Sequence, residues 1–200
     1  LEGEPGLAKT LLVNTVSRTI GMGFGRVQFT IDMLPSDVIG SEILDQQTHQ
    51  FRIHKGPVFT NLLLADEINR AAPKVQGCLL EAMQERKVTL GNNPFPRPAP
   101  FLVIATQNPI EQAVTFELPE AQLDRFMLCH RLEYPTAEQE KDVYRRQLNM
   151  GLKRQEGGGA VPKSAFDMIA AEPVCGLDEL VQMREQEESI QVRDALAEHV

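Results

Sequence analysis

Apolar residues along this chain recur with two different periods, and the way those periods alternate predicts an α/β domain. Leu12, Val16 and Ile20 repeat at helical spacing, which predicts a helix from about Lys9 to Ile20 with one apolar face. Gly21, Gly23 and Gly25 come next. Following a helix, that string predicts a helix stop and a flexible turn, and it argues against dinucleotide binding, which needs the glycines between a strand and a helix. Val27 to Ile31 alternates like a strand. Pro35-Ser36-Asp37 predicts a helix start leading to Ile43-Leu44. Between Asp45 and Pro57, a polar turn and the alternating Phe51-Arg52-Ile53-His54 predict a small surface hairpin, with an ordinary loop as the plain alternative.

Two short runs are apolar throughout: Leu62 to Ala65, and Phe101 to Ala105. That is the pattern of strands covered on both faces of a parallel sheet. Between them Pro73 opens an amphipathic helix carrying Val75, Leu79 and Met83, ending near Arg86. Val88 to Asn93 reads as a strand and turn; Pro94, Pro96, Pro98 and Pro100 then forbid a central strand on the return, predicting a protruding hairpin or loop. Pro119 to Asp124 reads as a short helix running into a last strand over Arg125 to Cys129.

Beyond Tyr134-Pro135 the pattern turns helical. Thr136 with Gln139 resembles a capping box opening a helix through about Met150. Gly157 to Gly159 predicts a flexible break, and helices are expected around Leu177 to Met183 and from Val192 onward. The expected division is an α/β core over 1–133 and a smaller helical domain over 134–200 that stops before it closes. Only Leu1 and Glu2 precede Gly3, where a buried strand is expected, so the chain looks like a fragment lacking most of its first core strand.

Composition narrows the class. A 42% hydrophobic and 24% charged chain of 200 residues is ordinary for a soluble globular protein. No apolar run approaches membrane-spanning length and no signal-peptide pattern opens the chain, and three isolated cysteines read as those of a reducing, cytoplasmic compartment. The formal charge of −8 argues against a nucleic-acid-binding surface. Cys78, Cys129 and Cys175 lack metal-ligand spacing and read as reduced thiols, the first two in buried contexts. His49, His54, His130 and His199 share no ligand spacing either.

The chemistry concentrates in the stretch Gly3-Glu4-Pro5-Gly6-Leu7-Ala8-Lys9-Thr10. It fits a phosphate-binding loop, with Ala8 where the general pattern has its last glycine. Glycine lets successive N–H groups converge on an anion, and the following helix adds the positive end of its dipole. Lys9 can reach the β- and γ-oxygens of a nucleotide, and the Thr10 hydroxyl can ligate Mg²⁺. The second acidic element is Asp66-Glu67, two carboxylates at the end of an apolar strand, where open α/β sheets bind ligands. Asp66 can hold Mg²⁺, and Glu67 can polarise an attacking water. Asn108, just past the Phe101–Ala105 run, could bond the γ-phosphate or that water, or simply form the turn before Pro109. Arg125 could pair with Asp124 or reach across a subunit boundary onto a neighbour's nucleotide; the local residues leave both open.

The ordered set resembles the AAA+ ATPases and, more closely, their MoxR family. The likeness rests on GEPGLAKT, VQFTIDMLPSDVIG, GPVFTNLLLADEINRAAPKVQGCLLEAMQERKVT, PFLVIATQNPIE and LPEAQLDRF, and covers about Gly3 to Pro135. The resemblance implies a P-loop fold with a five-stranded parallel sheet between helices, followed by a small all-helical lid, assembled as hexameric rings. It implies ATP and Mg²⁺ as cofactors and ATP hydrolysis as the activity. By position, Gly3 to Leu11 and Asp66 would contact the nucleotide, with Lys9 and Thr10 as the Walker A pair. Asp66 and Glu67 would form Walker B, Asn108 sensor 1, and Arg125 the arginine finger acting in trans. The two hairpin-like stretches would be the helix-2 insert and the pre-sensor-1 hairpin. The partners implied are client protein complexes and proteins carrying von Willebrand factor A domains, served by chaperone-like maturation or metal insertion. A non-hydrolysing nucleotide-gated scaffold and a DNA-remodelling motor are the alternatives.

Overall fold

The computed structural model describes residues 1–3, 9–91, 93–107, 115–149, 151–154, 160–162 and 172–188. The chain runs through α1 (Lys9–Thr19), β1 (Phe24–Gln28), α2 (Pro35–Ile39), β2 (Gly40–Asp45), β3 (Gln50–Lys55) and β4 (Leu62–Asp66). It continues through α3 (Pro73–Gln84), β5 (Lys87–Leu90), β6 (Asn93–Pro96), β7 (Leu102–Ala105) and α4 (Glu120–Leu123). Then follow α5 (Ala137–Asn149), β8 (Leu152–Arg154), β9 (Ala160–Pro162) and α6 (Leu177–Glu188).

β4 is the centre of a parallel sheet in the order β1-β4-β7. The edge of β7 is extended by the first residues of the chain, since Glu2 bridges in parallel to Gln107 on one side and to Arg131 on the other. Five extended segments therefore lie side by side, the two beyond β7 held by single bridges. All five residues of β4 are buried, and the period of two sorts them between two cores. Leu62 and Leu64 pack with Val13 of α1, joined by Met22, Phe24 and Ile104. Leu63 and Ala65 face the other way, into a larger cluster with Val75, Leu79 and Leu80 of α3, Val38 of α2, and Phe29. This is why the run has no polar position until Asp66: both faces are covered.

Two antiparallel hairpins, β2–β3 and β5–β6, stand off this sheet. They share a smaller core of Val58, Val88 and Leu90, against which Ile53 and Phe95 pack.

The structure revises several expectations. β1 begins at Phe24 and takes in Gly25, so the last glycine of the string lies in the strand, whose register is set by pairing with Leu62 to Asp66. Gly21 does take the turn, at φ +65°. α2 stops at Ile39, and Ile43 and Leu44 belong to β2. The cause is a close backbone crossing: Gly40 sits at φ +100°, and a Cβ there would run into the His54 carbonyl, while one at Gly56 would meet the Val38 carbonyl. The last strand does not form over Arg125 to Cys129. Pairing comes later, where Glu2 N–H donates to the His130 carbonyl and Leu132 N–H to the Glu2 carbonyl. Cys129 is exposed, whereas Cys78 and Cys175 are partly shielded, and burial pushes the Cys78 thiol up to about 11. In the 134–200 segment the all-helical expectation fails at β8–β9, where a short antiparallel pair forms on either side of the glycine-rich connection. The capping box at α5 is reciprocal: Thr136 N–H donates to Gln139 Oε1 at 2.8 Å, and Gln139 N–H to Thr136 Oγ1 at 3.4 Å. The predicted helix from Val192 and the glycine break lie outside the described residues. Among the described residues, no helix is long and apolar enough to cross a membrane.

Candidate functional site

Parallel strands all deliver their carboxyl ends to one edge of the sheet, and the candidate residues gather there. β4 ends in Asp66, which is buried, and Glu67 follows directly. Across the strand pair, Thr106 continues β7. Its hydroxyl donates to Asp66 Oδ1 at 2.6 Å and accepts the Glu67 backbone N–H at 2.9 Å. One threonine thus joins both acidic residues to the next strand. On the far side of that strand, Gly3 N–H donates to the Gln107 carbonyl at 3.3 Å, so Gly3, the first residue of the phosphate-loop pattern, lies at the same edge.

Glu67 is held in an unusual posture. Its backbone is left-handed, at φ 57° and ψ 48°, in a residue with a side chain. That conformation costs roughly 1–2 kcal/mol without glycine, and such strain concentrates at working sites. The turn it makes starts a single helical turn over Ile68–Arg70. Its carboxylate is fixed from two directions: Gln28 Nε2 donates to Oε2 at 2.8 Å, and Arg70 Nε lies 2.9 Å from the same oxygen. Asp66 is likewise held by Arg26, whose Nη2 lies 2.6 Å from Oδ2.

Lys9 opens α1, and its Nζ donates to the Gly3 carbonyl at 2.5 Å. Thr10 and Leu11 follow in the first turn, both half-buried. Lys9, Thr10 and Asp66 each carry a group of the kind a triphosphate with Mg²⁺ takes: a cation, a hydroxyl oxygen and a hard carboxylate oxygen. Among the described residues no group of three or more His, Cys, Asp or Glu could hold a metal alone. That donor set matches a cation that keeps waters and shares phosphate oxygens.

Other predicted site residues lie elsewhere or outside. Glu4, Pro5, Gly6, Leu7, Ala8 and Asn108 are outside the described residues. Arg125 is exposed in the turn after α4, and no ion pair to Asp124 forms. Four residues of the site escape a reading of the sequence: Arg26, Gln28, Arg70 and Thr106. The only linear signal is that Arg26 and Gln28 flank Val27 on a strand whose Val27 face is buried, which places two polar side chains together on the opposite face.

Known proteins bear on the same residues. The profile of the family described as "ATPase family associated with various cellular activities (AAA)" matches residues 1–128. The chain is 53% identical over 146 residues to Chaperone MoxR1 of Mycobacterium tuberculosis, covering 73% of this chain and 39% of that protein. It is 39% identical over 200 residues to the uncharacterized protein YeaC of Bacillus subtilis, covering 100% of this chain and 58% of the relative. A solved structure from Cytophaga hutchinsonii aligns with a TM-score of 0.77 at 44% identity, covering 98% of this chain and 55% of that one. The chain therefore spans about 39 to 58% of the length of these relatives.

Proposed function

The chain belongs to the MoxR family of AAA+ ATPases, and from that premise we propose that the complete protein binds ATP with Mg²⁺ at the carboxyl edge of its sheet and hydrolyses it to remodel partner proteins. One observation carries the reading: the start of the phosphate loop at Gly3, the Asp66-Glu67 pair and Thr106 occupy one edge, linked by hydrogen bonds.

Phosphoryl transfer offers a protein little covalent chemistry, so positioning and charge carry the catalysis. Gly3 to Thr10 would cradle the phosphates through backbone N–H groups, and Lys9 would leave the Gly3 carbonyl to meet the β- and γ-oxygens. Mg²⁺, held by Thr10 and Asp66, would supply positive charge against the triphosphate. Glu67, rigid in its strained turn, would accept a hydrogen bond from the attacking water, with Asn108 orienting it. Arg125, exposed and with no ion pair among the described residues, would complete the site of a neighbouring subunit in a hexameric ring. The partners would be client complexes and von Willebrand factor A domain proteins, matured in a chaperone-like manner that includes metal insertion.

The test is phosphate release by the full-length, assembled protein. Glu67→Gln is expected to keep ATP binding while turnover falls about 10²–10⁴-fold, the usual worth of a general base. Turnover at the wild-type rate would remove Glu67 from the mechanism. Arg125→Ala should cost roughly 10³–10⁵ in turnover, with nucleotide affinity kept within a few-fold. Preserved turnover in that variant would confine Arg125 to its own subunit's surface.

A further inference from the structure

Two side chains of β1 reach the acidic tip of β4, and the phosphate-binding machinery described above uses neither. Arg26 and Gln28 are two residues apart on a strand, so they project from the same face. Arg26 meets Asp66 Oδ2 through both arms of its fork, Nη2 at 2.6 Å and Nε at 3.2 Å. The same Nη2 donates to Gln28 Oε1 at 2.8 Å, and Gln28 is itself anchored to Glu67. Gln28 thereby steers the guanidinium onto the aspartate. With Thr106 on Oδ1, both oxygens of Asp66 have partners.

The two partners are not equivalent toward a metal ion. A hydroxyl donor can stay on a carboxylate that ligates a cation and orient it from behind. A guanidinium cannot, because it competes for the same charge and repels the incoming ion. The exposures match that asymmetry: the Asp66 side chain is 11% exposed and fixed, whereas Arg26 is 46% exposed and has solvent to move into.

We propose that Arg26 is a positioning residue that holds Asp66 in a metal-free arrangement and must release Oδ2 before the divalent cation is taken up. The inference rests on the nucleotide-site reading of Asp66 given above. Arg26 thus sets the Mg²⁺ concentration at which the site loads, and leaves the affinity for metal-free nucleotide alone.

The experiment uses the full-length protein and the fluorescent analogue N-methylanthraniloyl-ADP, bound in EDTA and then across a Mg²⁺ titration. Arg26→Gln is expected to lower the Mg²⁺ concentration for half-maximal binding about fivefold, as expected for loss of one partly exposed ion pair. Binding in EDTA should stay within about twofold, because no charge on the phosphates is altered. Arg26→Lys keeps the charge without the fork that spans Oδ2 and Gln28, so its midpoint should fall between the two. It carries the test if a thermal melt shows the Gln variant unfolded. A Mg²⁺ midpoint unchanged or raised in the folded variants overturns the proposal while leaving the site intact. A wild-type protein that binds no analogue, with or without Mg²⁺, removes the nucleotide-site reading itself.

Discussion

Leu64 and Leu148 are the same residue in opposite circumstances. Leu64 lies in β4 with none of its surface exposed, pressed toward α1 with Leu62 and Val13. Leu148 lies in α5 at 66% exposure, in company with Val143 and Tyr144, which are also open. Both elements are well specified locally: β4 by an unbroken apolar run, α5 by its reciprocal capping box and an Arg145–Asp142 ion pair. Local signals suffice to make an element, and burial needs a second surface. β4 has helices on both faces, whereas none of the described side chains of α5 joins any of the three core clusters.

The comparison can be broken most forcefully at Leu63, whose side chain is wholly buried against α3. Leu63→Ala should destabilise the protein by about 2–5 kcal/mol, through lost transfer energy and the cavity left behind. Chemical denaturation measures it, and a loss below about 1 kcal/mol would mean the sheet is not packed on both faces. A smaller loss is expected at Gly40, where the left-handed backbone and the His54 carbonyl both oppose a methyl group. Gly40→Ala should cost roughly 1–3 kcal/mol, and a neutral result would show that the β2–β3 hairpin can shift off α2. Leu148→Ala sharpens the contrast from the other side. Its effect on the same denaturation curve should lie within about 0.5 kcal/mol, as for surface positions free of special contacts. A core-sized loss there would reveal a surface that covers α5 in solution.

The same division describes how far the sequence could be read. β4, α3, β7 and the proline-rich hairpin follow from periodicity and proline chemistry, because those signals are local. The errors fall where a distant segment intervenes. β1 is displaced because its register depends on Leu62 to Asp66, and α2 is cut short because Gly40 must cross Gly56. The strand expected at Arg125 to Cys129 gives way to pairing at Arg131, since its partner is at the other end of the chain, at Glu2. Met127, inside the stretch expected as that strand, is 93% exposed. The site divides likewise. Asp66 and Glu67 are legible as acids at a strand end, whereas Thr106 and Arg26 reach Asp66 from 40 positions away.

The sequence by itself determined the phosphate-loop pattern, the acid pair at the end of an apolar run, and the order of helices and strands from α1 through β7. Those depend on backbone preference and side-chain chemistry within a few residues. The tertiary structure alone decided that Glu67 sits in a left-handed turn pinned by Thr106, Gln28 and Arg70, and that Arg26 occupies Asp66. Parallel pairing is the physical reason, because it brings residues from distant strands to one edge without leaving a mark in either strand's own sequence.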